Sequence, residues 1–175
     1  MSGAESGLRR IASGLDALAE WTGRAVAWLT LGMALVAVAV VVLRYGFGIG
    51  LIWLQESVTW MHAAVFMLGA AWTLRHDAHV RVDVFYRRMS PRQQAAVNLL
   101  GTLLLLLPTC AYLLVESLPY VASSWRVLQR SREAGGLPGL YLLKSLIPLM
   151  AALLVVQGVG ESLRAVAALR RQGVR

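Results

Sequence analysis

The sequence predicts an all-α integral membrane protein with four transmembrane helices and an N-terminal amphipathic interfacial helix. Three observations carry that prediction. Of 175 residues, 58% are hydrophobic, and the mean hydropathy is +0.62. The apolar residues fall into four blocks, 26–43, 53–74, 97–118 and 140–159, each near the roughly 20 residues that carry an α-helix across about 30 Å of hydrocarbon. The blocks also lack the polar face that a helix of a water-soluble bundle needs, since Ala34 to Leu43 and Leu99 to Leu107 hold almost no polar side chain. No alternation of polar and apolar residues runs through them, which excludes barrel strands.

The formal net charge of +8 would suggest a nucleic-acid surface in a soluble protein. Here the basic residues flank the apolar blocks, so membrane topology explains them and no nucleic-acid partner is expected. Four spans put the N-terminus, the loop between spans 2 and 3, and the C-terminus on one side. That side holds twelve of the basic residues, and the other holds the remaining five, Arg44, Arg126, Arg130, Arg132 and Lys144. Both termini are therefore expected in the cytoplasm.

Residues 1–25 form the first segment. Leu8, Ile11, Leu15, Leu18 and Thr22 recur at helical spacing opposite Arg9, Arg10, Asp16, Glu20 and Arg24, the pattern of a helix lying among headgroups. The transmembrane part is expected over 26–163. Span 1 ends at Arg44-Tyr45, because Gly46, Gly48 and Gly50 follow. Span 2 starts at Trp53 and ends before Arg75, His76, Asp77 and His79. The loop after it shows a short alternation, Val80 to Phe85, compatible with either a strand or an interfacial helix. Ser90-Pro91-Arg92-Gln93 is a helix start, with a capping hydroxyl, proline at the first helical position and a glutamine three residues on.

Span 3 contains Pro108 and span 4 contains Pro148, each of which removes a backbone donor, so kinks are expected. The longest outer segment is read as 120–139, and 164–175 as a basic tail. Gly69-Ala70-Ala71 and Ala151-Ala152 permit close helix approach. Cys110, the one cysteine, reads as a small packing residue.

A charge in or beside a span is retained where it is paired, hydrated or functional. Arg44, Glu56, Glu116 and Lys144 all fall near the outer interface. Arg44 with Glu56 and Glu116 with Lys144 are the candidate pairs, with independent snorkelling to headgroups as the alternative. His62 is the one ionisable residue near mid-span, and it reads as packed or hydrogen-bonded. No carboxylate stands at the midplane, where secondary transporters place their sites. An accessory role follows from that gap. Two other readings remain: a small homo-oligomeric proton-coupled exporter built on Glu56, and a haem or quinone anchor of an oxidoreductase.

The order of motifs resembles the DctQ-like family, the small membrane subunit of tripartite ATP-independent periplasmic (TRAP) transporters. The matching residues are Arg44-Tyr45, Trp53 with Glu56, Gly69-Ala70-Ala71, Arg75 and His79-Val80-Arg81-Val82-Asp83. They continue with Leu137-Pro138-Gly139-Leu140-Tyr141-Leu142-Leu143-Lys144 and Ile147-Pro148-Leu149. The resemblance extends from about Leu29 to Leu163. It implies two protein partners, a large TRAP membrane subunit that carries substrate and a periplasmic solute-binding protein, besides the lipid bilayer. It further implies organic acid uptake driven by an ion gradient, usually sodium, used by the large subunit, with no cofactor and no enzymatic activity in this chain. The residues it points to are interfacial: Arg44, Trp53, Glu56, His79 and Asp83, then Glu116 and Lys144. Arg126, Arg130, Arg132 and Glu133 are candidate contacts for the binding protein.

Overall fold

The computed structural model describes residues 3–76, 78–79 and 86–172, with the side chains of 3–13, 15, 16, 18 and 170–172 outside the description. Every regular element among the described residues is helical. In chain order these are α1 (Gly3–Val41) with a π turn at Val42–Gly46, and α2 (Ile52–Arg75). Next come α3 (Pro91–Gly101), a π turn at Thr102–Leu106, α4 (Leu107–Arg126), and α5 (Leu140–Gln172). Because α3 and α4 form one continuous rod, four helices are long and apolar enough to cross a membrane: Ala19–Gly46, Ile52–Arg75, Pro91–Arg126 and Leu140–Leu169. This is a multi-pass membrane protein. One end of the bundle carries the α1–α2 and α4–α5 connections (the hairpin end). The chain begins and finishes at the other (the termini end).

α1 runs unbroken from Gly3 to Val41, so the segment expected to be interfacial continues straight into the first span. The apolar side chains Leu8, Ile11, Leu15 and Leu18 that define its amphipathic face lie outside the described residues, as do Val80 to Phe85. At the far end of α1, Gly48 takes φ +69°, a conformation that costs a side chain but not glycine. The turn it makes lets the Ile49 amide donate to the Leu43 carbonyl at 2.9 Å.

Ser90 caps α3 as expected. Its hydroxyl accepts from the Gln93 amide, and the Gln93 side chain accepts from the Ser90 amide at 2.8 Å.

A π turn lies just upstream of Pro108. A proline there leaves the Leu104 carbonyl without a donor and crowds it, and the backbone widens into the π turn at Thr102–Leu106. Helix α5 passes through Pro148 without interruption.

The outer segment is shorter than the sequence reading placed it. α4 continues through Pro119 to Arg126, so the connection is 127–139 and not 120–139. The reason is tertiary. Val121 and Ser124 are buried on the far side of Pro119, and the Trp125 indole donates to the Ser145 hydroxyl at 2.9 Å while stacking, tilted, on Tyr141. Those contacts outweigh one lost backbone bond.

Helix α5 is the hub. It packs on α1, α2, α3 and α4, while α1 and α2 pack closely on each other and α3 with α4 lies across α5 from them. The buried residues are nearly all small: Ala19, Ala71, Cys110, Ser117, Ser124 and Ala151, with Val121 and Gln157 the larger exceptions. That is the composition close-packed membrane helices favour, because hydrocarbon gives no reason to bury a large apolar side chain between them. A Cβ on Gly158 would meet Leu106 at 3.0 Å and Leu107 at 3.2 Å, so α5 lies directly against the π turn. A Cβ on Gly23 would fall 2.2 Å from the Trp72 ring, marking a close approach of α1 to α2.

Candidate functional site

The polar groups that the fold brings together gather at the hairpin end, around the 127–139 connection. α4 ends in a Schellman arrangement, with the Leu128 amide bonded to Trp125 and the Gln129 amide to Ser124 at 3.0 Å. Leu128 occupies the left-handed position, at φ 43°, where glycine is usual. The chain turns again through Gly135 (φ 78°) and Gly139 (φ 95°) and is closed on itself by the Ser131 amide donating to the Leu137 carbonyl.

Glu56, one turn into α2, holds this connection. One carboxylate oxygen accepts from the Ser131 hydroxyl, and the other accepts from the Leu137 amide at 2.6 Å. Hydrogen bonds to an ionised acceptor are the stronger kind, and here they join residues more than seventy positions apart. Gly136 is what makes the fit possible, since a Cβ there would stand 2.7 Å from the Glu56 carboxylate and 2.6 Å from the Ser131 hydroxyl.

Lys144, one turn into α5, is bound nearby by different means. Its ammonium donates to the Gln129 side-chain carbonyl at 2.7 Å, which also accepts from the Ser124 hydroxyl. It lies 4.0 Å from the centre of the Tyr120 ring as well, within cation–π range. The amide oxygen and the ring face together satisfy the charge without a carboxylate.

The pairs Arg44 with Glu56 and Glu116 with Lys144 therefore do not form within the described residues. Glu56 and Lys144 do meet the same connection, but neutral groups within it, Ser131, Leu137 and Gln129, take the partner positions. Arg44 lines a small cavity of about 340 Å³ between the end of α1 and the start of α2. Glu116 is exposed on α4. Trp53 stands half-exposed at the start of α2. Arg126, Arg130, Arg132 and Glu133 are all exposed around the same rim, and no ion pair links the three arginines to another described residue.

At the termini end, Glu20 of α1 is a second anchor, which the sequence reading treated only as part of a polar helix face. It accepts from Arg75 at 3.0 Å and meets Arg24 at 3.5 Å and His76 at 3.7 Å. His76 in turn stacks on Trp72. His79 lines a groove of about 670 Å³ with Arg75, Asn98, Glu161 and Arg164, and Asp83 lies outside the described residues. The signal for Glu20 was an acid fifty-five residues before a basic helix end, which no local pattern reveals.

Gln157 of α5 is 1% exposed, and neither its Oε1 nor its Nε2 meets a hydrogen-bond partner. His62 of α2, expected to be packed or hydrogen-bonded, is exposed on the helix surface.

Comparison with known proteins gives one family. The family model of the DctQ component of tripartite ATP-independent periplasmic transporters matches residues 33–168. A Haemophilus influenzae protein whose name assigns it as a TRAP transporter small permease is 29% identical over 106 residues, covering 58% of this chain and 65% of that protein. No solved structure matches significantly.

Proposed function

The chain belongs to the DctQ component family of the tripartite ATP-independent periplasmic transporters, and from that membership we propose that it braces the large membrane subunit of such a transporter. The observation that carries this is where its polar groups are used. Glu56, Lys144, Gln129 and Ser131 are spent on knitting helix ends to the 127–139 connection, an arrangement that stiffens a scaffold. A carboxylate held by two donors at a helix start is not the cavity-facing group that a self-contained proton-coupled exporter needs.

In this reading the termini end faces the cytoplasm of a bacterium with the chain in its inner membrane, as the twelve basic residues of that side favour. The hairpin end faces the periplasm, where Arg126, Arg130 and Arg132 supply an exposed positive rim for an arriving solute-binding protein. The large subunit carries the organic acid and couples it to the ion gradient, sodium being the expected ion.

The test is to tag this chain, express it with its large membrane subunit and purify in mild detergent. Co-purification, together with loss of solute uptake in vesicles when this chain is omitted, is the expected result. A stable homo-oligomer that transports by itself in proteoliposomes would overturn the reading.

A further inference from the structure

Helix α2 presents a line of polar side chains on its outward face. Gln55, Thr59 and His62 recur at spacings of four and three residues, with the apolar Phe66 four further on, and all four are exposed, so they share one face. No hydrogen bond or ion pair joins the side chain of Gln55, Thr59 or His62 to another described residue. Thr30, by contrast, is exposed on α1 but returns its hydroxyl to the Val26 carbonyl at 3.0 Å.

Depth makes His62 the telling member. The start of α2 is pinned at the hairpin end by Glu56, and His62 lies six residues further in, roughly 9 Å deeper. Arg75 at the opposite end of α2 is thirteen residues away, roughly 20 Å. An imidazole is too short to reach headgroups from there. On α4 the exposed Thr109, Tyr112 and Glu116 also make a polar line. Glu116, however, stands one turn below Tyr120, whose ring contacts Lys144, within snorkelling reach of the rim. Exposed α1 residues at comparable depth, Leu35 and Val38, are apolar.

Composition agrees. α2 has the lowest mean hydropathy of the four spans, 1.2 against 1.9 to 2.6, yet of its residues only Ala71 is buried within the chain. A helix face this polar suits a protein neighbour better than lipid tails, which offer no hydrogen-bonding group.

We propose that the Gln55–Thr59–His62 face of α2 is the intramembrane contact with the large transporter subunit. It would pack against a spanning helix that offers hydrogen-bonding side chains at the depth of Thr59 and His62. The inference rests on the bracing reading and gives that reading its contact face. The large subunit is favoured over a second copy because the family is defined as one component of a multi-component assembly.

Photo-crosslinking tests it. A photoreactive amino acid is placed at Thr59, at His62 and, as a lipid-facing control, at Leu35, in the full complex in native membranes. Adducts to the large subunit from positions 59 and 62 but not from 35 are expected. His62→Leu should lower the yield of co-purified large subunit about three- to tenfold without lowering the thermal midpoint of the isolated chain, and His62→Asn should recover much of that loss. Adducts only to a second copy, or none at 59 and 62 while the large subunit still co-purifies, would overturn the contact face and leave the bracing reading standing. Failure of the large subunit to co-purify with the unaltered chain would sink both.

Discussion

Glu56 shows how a single side chain can bind a connection that sequence reading treats as solvated. Both carboxylate oxygens accept, one from Ser131 and one from Leu137. A glutamine in their place supplies one acceptor and turns an amide NH₂ toward a donor. Glu56→Gln should therefore loosen the connection, with hydrogen exchange at the Leu137 amide rising roughly ten- to a hundredfold. Gly136→Ala should do the same from the other side, because its methyl would occupy the space of the carboxylate. Gln157 leads in the opposite direction. A buried amide with no partner costs on the order of 1–3 kcal/mol, and leucine has nearly its volume, so Gln157→Leu is expected to raise the thermal midpoint. Cys110, the single thiol and 3% exposed, can report this directly as the temperature at which a maleimide dye begins to react. That Glu56 and Lys144 stand at one end of the bundle was legible from spacing along each helix. Their partners were not, because Ser131, Gln129 and Leu137 reach them only after the connection has folded back over α2 and α5.

At the level of elements, the spans, the Ser90 cap and the disturbance before Pro108 were all readable, since each follows from a local rule of length, capping or a missing donor. Pro119 was not. It resembles a helix stop in sequence, and only the burial of Val121 and Ser124 against α5 carries α4 onward to Arg126. The α1–α2 crossing was likewise hidden, because Gly23 and Trp72 are a pair only in three dimensions. Gly23→Ala should force the Trp72 ring from its seat and lower the thermal midpoint by an amount equivalent to about 1–3 kcal/mol. The intrinsic tryptophan emission, read in the same melt, should shift before the main transition. Glu20→Ala, which removes the acceptor shared by Arg75, Arg24 and His76, should weaken the same pair of helices more at low than at high ionic strength. These groups are partly exposed, so the loss should be small, within about 1 kcal/mol.

Across the whole molecule, the helices do not form a ring in which each closes on the next. The α1–α2 pair and the α3–α4 rod both rest on α5, and the large exposed apolar surface between them is the part that lipid and partner must share. Fold class could be read from hydropathy alone. The central place of the last helix could not, because hydropathy counts spans and says nothing of which touches which.

That placement has a consequence in time. Helices enter the bilayer in the order of synthesis, and the one that joins the other three is made after them. Until α5 emerges, the first pair and the α3–α4 rod have little to hold them together beyond the grip of Glu56 on the connection, so the unfinished chain spends its synthesis as two loosely tethered pieces. A chain stopped after residue 139 should insert all three earlier spans and yet be cleared rapidly by membrane proteases. Supplying α5 as a separate peptide should extend its lifetime, which a pulse-chase measurement would reveal.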